Sequence, residues 1–253
     1  MYNHYVVNLE TSIDRREHIT KIFENTCITP RFFKAIDGKF ITDDDRRVDD
    51  DGLLRLGEKG CALTHLKILE NFLNGCEEYI IIFEDDIELD SRFDTYLPIL
   101  VDFVKKHKKA CSLALYNGNN PHKMHSVVDQ HLSIRRSLGF SGTYAYIINK
   151  EAAKNILWAQ RPLHFEIDSW YTYMKLGLIR LYDINVNLVT PEAPNLASTV
   201  DIRGTRTGQV AEDLGRIKDR NIKKIVNKFT FKQKVLFYRQ RINKWFWELM
   251  WCK

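Results

Sequence analysis

The sequence has no apolar stretch approaching the length needed to cross a bilayer, which as a helix takes roughly 20 residues. It has no CxxC pair. Its five cysteines, Cys27, Cys61, Cys76, Cys111 and Cys252, are odd in number and irregularly spaced. Both features argue against a disulfide framework and against a zinc site, and point to a reducing compartment. Met1-Tyr2-Asn3-His4-Tyr5 leads at once into a strand-like run, without a charged segment followed by an apolar one, so no signal peptide is expected. No internal repeat is visible, and no low-complexity linker precedes about residue 205. The acidic run at 43–51 lacks the Gly and the distal Glu of an EF-hand and reads as a solvated loop.

What is present is an ordinary globular composition: 253 residues, 44% hydrophobic and 28% charged, enough to build a self-sufficient core. The net charge of +5 hides an asymmetry. Residues 216–253 hold 12 of the 38 Lys/Arg and 2 of the 33 Asp/Glu, leaving 26 basic and 31 acidic side chains in the body. A uniformly basic chain would suggest nucleic acid. An acidic body with one basic tail suggests instead an enzyme with a surface-binding appendage.

The hydrophobic pattern predicts strands at 5–9, 31–36, 79–83, 112–116, 143–149 and, less regularly, 179–189. It predicts helices at 14–25, capped by Ser12 or Asp14, and at 58–74, 92–107 and 150–160. Residues 117–137 are polar and carry His122, His125 and His131. They read as a long loop that could fold over a ligand; the three histidines suggest a metal by count, but nothing fixes their spacing. The βαβα order predicts an α/β domain over 1–215, with a mixed, mainly parallel central sheet, followed by a helical basic tail over 216–253.

Glu84-Asp85-Asp86 follows the uninterrupted apolar run Tyr79-Ile80-Ile81-Ile82-Phe83. Strand alternation would place Glu84 and Asp86 on one side and Asp85 on the other. Ligands of open α/β sheets bind outside the carboxyl ends of strands. Carboxylates there suit a divalent cation that in turn holds a diphosphate. The bland alternative is a solvated acidic turn.

Several blocks then carry a family likeness: Val7-Asn8-Leu9-Glu10-Thr11-Ser12 with Asp14-Arg15-Arg16, Phe33-Lys34-Ala35-Ile36-Asp37-Gly38, Gly57-Glu58-Lys59-Gly60-Cys61-Ala62-Leu63-Thr64-His65, Ile82-Phe83-Glu84-Asp85-Asp86 and Gly142-Thr143-Tyr144-Ala145-Tyr146. In this order they make the chain resemble glycosyltransferase family 25, the group of bacterial lipooligosaccharide galactosyltransferases and collagen galactosyltransferases. Thr64 stands where the family usually has Ser, and keeps the hydroxyl. Glu84 opens the acidic motif, as is the family's habit.

The resemblance implies a GT-A type fold, a UDP-hexose donor (galactose favoured, glucose possible) and a divalent metal, manganese favoured over magnesium. It makes Asp86 the first choice for direct metal ligand. Glu84 would contact the metal too, through its water, or else the ribose, and Asp85 would hold the turn or touch the donor. Asn8, Leu9 and Glu10 could line the nucleotide pocket, with Arg15 or Arg16 near the diphosphate, since a guanidinium fork suits phosphate. Lys59 and His65 are candidates from the motif around them, although a histidine in an apolar helix is more often structural. Thr64 and His65 are not expected to face the core together. Asp37 is either a nucleotide contact or a turn cap.

An inverting transfer needs a general base from a distant segment. Asp168, in His164-Phe165-Glu166-Ile167-Asp168-Ser169-Trp170, is the leading choice; Glu166 is the alternative, and a helix N-cap is the structural reading of Asp168. Trp170 could stack on an acceptor sugar.

In the tail, Lys/Arg alternate with Phe229, Phe231, Phe237, Tyr238, Trp245, Phe246, Trp247 and Trp251. Such a segment suits an anionic inner-membrane surface, and a peripheral position on the cytoplasmic face would bring the enzyme to a glycolipid acceptor. The rivals are a plain helical cap and nucleic-acid binding, the latter disfavoured. The expected activity is hexosyl transfer to a lipooligosaccharide or lipopolysaccharide core, with inversion. The alternatives are a metal-dependent phosphohydrolase and a non-catalytic module that binds anionic surfaces or nucleic acid.

Overall fold

In the computed structural model, which describes residues 2–41, 52–191, 208–235 and 237–238, the chain opens with β1 (His4–Asn8), α1 (Ile13–Phe23) and β2 (Phe32–Lys34). A single 3-10 turn at Gly38–Phe40 is followed by α2 (Leu56–Asn74) and β3 (Tyr79–Phe83). Next come β4 (Ile87–Leu89), α3 (Phe93–Lys106), β5 (Cys111–Ala114), β6 (Pro121–Val127) and β7 (Ser133–Ser137). The rest is β8 (Ala145–Asn149), α4 (Lys150–Ala159), α5 (Trp170–Lys175), β9 (Arg180–Ile184), β10 (Val189–Pro191) and α6 (Gly208–Asn227). The acidic run at 43–51 lies outside the described residues.

The main sheet has the order β2-β1-β3-β8-β5-β9-β7-β6. The pairings make six of its eight strands run in one direction, with β7 and β8 opposed. This is the mixed, mainly parallel α/β architecture that the sequence predicts. β3 is buried along its whole length. Its alternation feeds two cores: Ile80 and Ile82 pack with α2 and α4, while Tyr79, Ile81 and Phe83 pack with α1 and α3. A strand covered on both faces must be apolar at every position, which is why it reads as an unbroken run.

Two expectations are corrected. Residues 117–137 do not form a long loop; they contain the antiparallel hairpin β6–β7 at the edge of the sheet. Register shifts at Pro121/Lys123 and Met124/Ser126 break the alternation that would reveal a strand, and an edge strand tolerates proline and polar side chains. Secondly, Thr64 and His65 are both wholly buried, each 0% exposed. α2 is enclosed on opposite sides, by the sheet and by the turn after β2. Thr64 Oγ1 donates to Gly60 O at 2.7 Å and accepts from Ile36 N–H at 2.8 Å. Gly60 permits this approach, since a Cβ there would stand 2.5 Å from Ile36 O.

α6 begins before residue 216 and lies on the domain. Ile225, Phe229 and Phe237 enter the core shared with α2 and α4, Trp158 stacks on Phe229, and Asn221 Nδ2 donates to His164 O at 3.1 Å. Phe231 and Tyr238 are exposed, and Trp245, Phe246, Trp247 and Trp251 lie outside the described residues. Among the described residues no helix is long and apolar enough to cross a membrane.

Replacing Thr64 by valine would strand the Ile36 N–H inside the fold, so Thr64→Val is expected to lose about 1–3 kcal/mol in urea unfolding. Thr64→Ser, which keeps the hydroxyl, should recover most of that loss. Equal losses in both variants would show that the methyl group, not the hydrogen bond, carries the contact.

Candidate active site

β1 and β3 are parallel neighbours, so their carboxyl ends open onto the same edge of the sheet. Asn8 ends one strand and Glu84 follows the other. The Glu84 N–H donates to Tyr144 O at 2.8 Å, and the chain then bends at Asp85 and Asp86. This bend overrides strict alternation. Asp85 turns inward and accepts from Asn8 Nδ2 at 2.8 Å and from Arg15 Nη1 at 2.7 Å. The same Arg15 nitrogen lies 3.3 Å from Asp86 Oδ2. Asp85 is therefore a clamp on the turn, and Asp86 is the more open carboxylate. Glu84 accepts a hydrogen bond from Thr143 Oγ1.

The electrostatics follow from this crowding. Burial pushes the Glu84 carboxyl up to about 8, and the charges of Asp86, Asp85 and Asp168 add to the rise, against the Thr143 hydrogen bond. Burial works against the Arg15 charge, but the hydrogen bond and charge of Asp85, with the charges of Asp86 and Glu84, outweigh it and raise its pKa.

The triplet opens into a cleft of about 940 Å³. Asn8, Leu9, Arg15 and Asp37 line one part of it. Glu166, Asp168 and Tyr171 line another. Asp168 Oδ2 accepts from the Gly142 N–H at 3.3 Å. The consecutive residues Gly142 and Thr143 thus hold Asp168 and Glu84, two carboxylates far apart in sequence. The N-cap of α5 is Ser169, not Asp168, which leaves the Asp168 side chain on the cleft. Glu166 is differently placed: it accepts from Lys218 Nζ at 3.0 Å and from Ser169 Oγ at 2.9 Å. Burial alone would raise its pKa, but the Lys218 charge and these hydrogen bonds hold it below the ordinary range.

The predicted site residues therefore separate. Asn8, Leu9, Arg15, Asp37, Glu84, Asp85, Asp86, Glu166 and Asp168 meet at one cleft. Asp37 also caps its turn, accepting from Lys39 N–H at 2.9 Å. Glu10 is exposed and pairs with Lys34 at 2.6 Å. Arg16 lies over the Phe32 ring at 4.4 Å, because one step along a helix turns a side chain by about 100°. Lys59 is off the cleft wall, and His65 is sealed beneath it. Trp170 cannot stack on a sugar: it is 1% exposed, and its Nε1 donates to Gly142 O at 2.8 Å. Its neighbour Tyr171, 39% exposed, reaches the cleft instead. The sequence does not reveal the roles of Thr143, although it stands in the Gly142–Tyr146 block, or of Lys218, one of many basic residues in the tail.

Carboxylate oxygens are the ligands that hard divalent cations take. Glu84, Asp86 and Asp168 line one cleft, where burial first, and then the charges of Asp86, Asp85 and Asp168, raise the Glu84 carboxyl. Among the described residues the histidines of the hairpin build no such group. His125 packs against the Phe103 and Tyr182 rings, and the grouping of His, Cys and acidic side chains close enough for a metal is Cys61, His65 and Glu84.

The family model described as Glycosyltransferase family 25 (LPS biosynthesis protein) matches residues 1–171. A Haemophilus influenzae protein named as a glycosyltransferase is 30% identical over 176 residues, 66% of this chain and 61% of that protein. The lipooligosaccharide biosynthesis protein lic2B of Haemophilus influenzae is 34% identical over 101 residues, 38% of each chain. A bovine glycosyltransferase 25 family member 3, described as inactive, is 26% identical over 172 residues, 63% of this chain and 29% of its own. The chain thus spans less than two thirds of the length of these relatives.

Because the folded-state pKa of Glu84 is raised from 4.5 to about 8, the native state favours the protonated acid. Its contribution to stability is full below pH 4.5 and is lost as pH rises through 8. In metal-free buffer Glu84→Gln, which mimics the protonated form, is expected to melt on the order of 5 °C above wild type at pH 8.5. The two should converge near pH 4. A pH-independent difference would show that Glu84 ionises as an ordinary surface carboxylate.

Proposed function

The chain belongs to glycosyltransferase family 25, and from that premise we propose that it moves a hexose from a UDP-sugar to a lipooligosaccharide or lipopolysaccharide core acceptor, with inversion. Galactose is the favoured donor sugar and glucose the alternative. The observation that carries this reading is the pairing of the Arg15-clamped triplet with Asp168 across one cleft. Consecutive residues 142 and 143 hold its two halves together.

Asn8, Leu9 and Asp37 provide the wall for the nucleotide. Arg15 supplies a permanent positive charge at the diphosphate end while it holds Asp85 in place. Asp86 and Glu84 would hold the divalent cation, which when bound neutralises charge on the departing diphosphate. Asp168 takes the proton of the acceptor hydroxyl as its oxygen bonds to the anomeric carbon and the sugar–phosphate bond breaks. Glu166 is less suited to that role, since Lys218 and Ser169 occupy its oxygens and favour its charged form. Tyr171 offers an exposed ring where an acceptor sugar would enter.

The same proposal includes peripheral attachment to an anionic membrane on the cytoplasmic side. Its support is the set of exposed basic residues on α6, namely Arg216, Arg220 and Lys223, turned away from the buried Asn221 and Ile225. Each basic residue near such a surface contributes about 1 kcal/mol.

Asp86→Ala is expected to reduce manganese-dependent UDP release from UDP-galactose on the order of 100-fold, equivalent to a few kcal/mol of transition-state stabilisation. Asp168→Asn should lower kcat on the order of 100-fold or more and leave UDP affinity unchanged. A thermal-shift screen over UDP-galactose, UDP-glucose and their N-acetyl forms with manganese identifies the donor. No stabilisation by any of them would refute the transferase reading, and free hexose formed without an acceptor would favour phosphohydrolysis. For the membrane, Arg220→Glu with Lys223→Glu should cut sedimentation with anionic vesicles while keeping the fold. Unchanged sedimentation would remove that part of the proposal.

A further inference from the structure

α2 carries Cys61 and His65 one helical turn apart, so both project from the same face of the helix. That face meets the mouth of β3. There the Cys61 Sγ, a ring nitrogen of His65 and a carboxylate oxygen of Glu84 all lie within 4.8 Å of one another. His65 is completely buried. Its Nδ1 is hydrogen-bonded to Tyr146 Oη at 2.8 Å, and the two rings stack with centroids 5.8 Å apart. Its Nε2 is buried without a hydrogen-bond partner. When Nδ1–H donates to the tyrosine oxygen, Nε2 presents a lone pair. An outer hydrogen bond of this kind orients metal-binding imidazoles and fixes their tautomer.

We propose that Cys61, His65 and Glu84 form a second cation site beneath the donor cleft, selective for a soft divalent ion of the zinc class. Sulfur and imidazole ligands disfavour magnesium and manganese and select zinc. A tetrahedral centre with bonds of about 2.0–2.3 Å sets its ligand atoms roughly 3.5 Å apart, so groups already within 4.8 Å of one another need only a small closure. Cys61 and Glu84 both line the cleft, which leaves the fourth position open to water or to a ligand in the cleft. The irregular cysteine spacing concealed this arrangement, since two ligands come from one helix and the third from a distant strand end. The site does not depend on the transferase reading. It shares Glu84 with the donor site, so zinc bound here ties up that carboxylate and is expected to weaken donor binding.

Cobalt is the probe. Metal-stripped wild-type protein titrated with Co²⁺ is expected to develop a thiolate-to-cobalt charge-transfer absorption that saturates at about one ion per chain and is displaced by zinc. Asp86→Ala should retain the band, which separates this site from the hard-cation position and from transferase activity. Folded Cys61→Ser should lose it, and His65→Gln should bind cobalt at least about tenfold more weakly. Should either variant fail to fold, zinc is expected to slow alkylation of Cys61 in the wild-type protein, read by peptide mass. A wild-type spectrum without the charge-transfer band overturns the proposal. So does a band that persists in folded Cys61→Ser, or Cys61 alkylation that zinc leaves unchanged.

Discussion

Arg15 donates to Asp85 and approaches Asp86 from a nitrogen almost wholly withdrawn from water. A buried ion pair of this kind gains little net stability over an apolar pair, but losing one partner leaves an uncompensated charge and costs about 3–5 kcal/mol. The contact therefore acts as a constraint. It fixes the first turn of α1 against the end of β3, and Asn8 joins from β1. Three elements adjacent in space are locked in one geometry, although Asn8 and Asp85 stand 77 positions apart in sequence. The bend at Asp85–Asp86 is held by this lock, and the bend decides which carboxylates face the cleft.

A second constraint lies beside it. α2 is gripped between the sheet and the turn after β2, through Gly60 and Thr64. That grip is why the helix has no solvated stripe over residues 62–66 and why a histidine can be buried there with one nitrogen unpaired. On the far side, Gly142 and Thr143 tie Asp168 and Glu84 to one hinge of backbone. The cleft is thus assembled from segments that each have a separate structural reason to be where they are. Crowded carboxylates are the result, and a cation is what such crowding favours.

Much of this was legible in the residues. The unbroken apolar run at 79–83 identified a strand covered on both faces, and the acidic triplet after it marks its carboxyl end, which opens onto the cleft. Asn8, Asp86 and Asp168 stand out in the sequence, where Arg15 and Arg16 remain equivalent. The hairpin at 121–137 was not legible, because its bulges break the period on which strand recognition rests. Trp170 beside a candidate base looks functional in the sequence, yet its ring is needed in the core and its neighbour Tyr171 takes the exposed place. Lys218 is not distinguishable in the sequence, because a run of basic residues gives no sign of which one folds back onto Glu166.

The sequence by itself determined the layered α/β class and the family. These depend on local period and on short motifs, which survive without a third dimension. Tertiary structure alone decided that Arg15 rather than Arg16 meets the triplet, that Glu166 is engaged while Asp168 faces the cleft, and that His65 and Cys61 converge on Glu84. The reason is one of distance. Each choice turns on contacts between residues tens of positions apart, and on which face of a helix or side of a bend a single side chain takes. Such angles are set by packing against a partner that the local sequence does not contain.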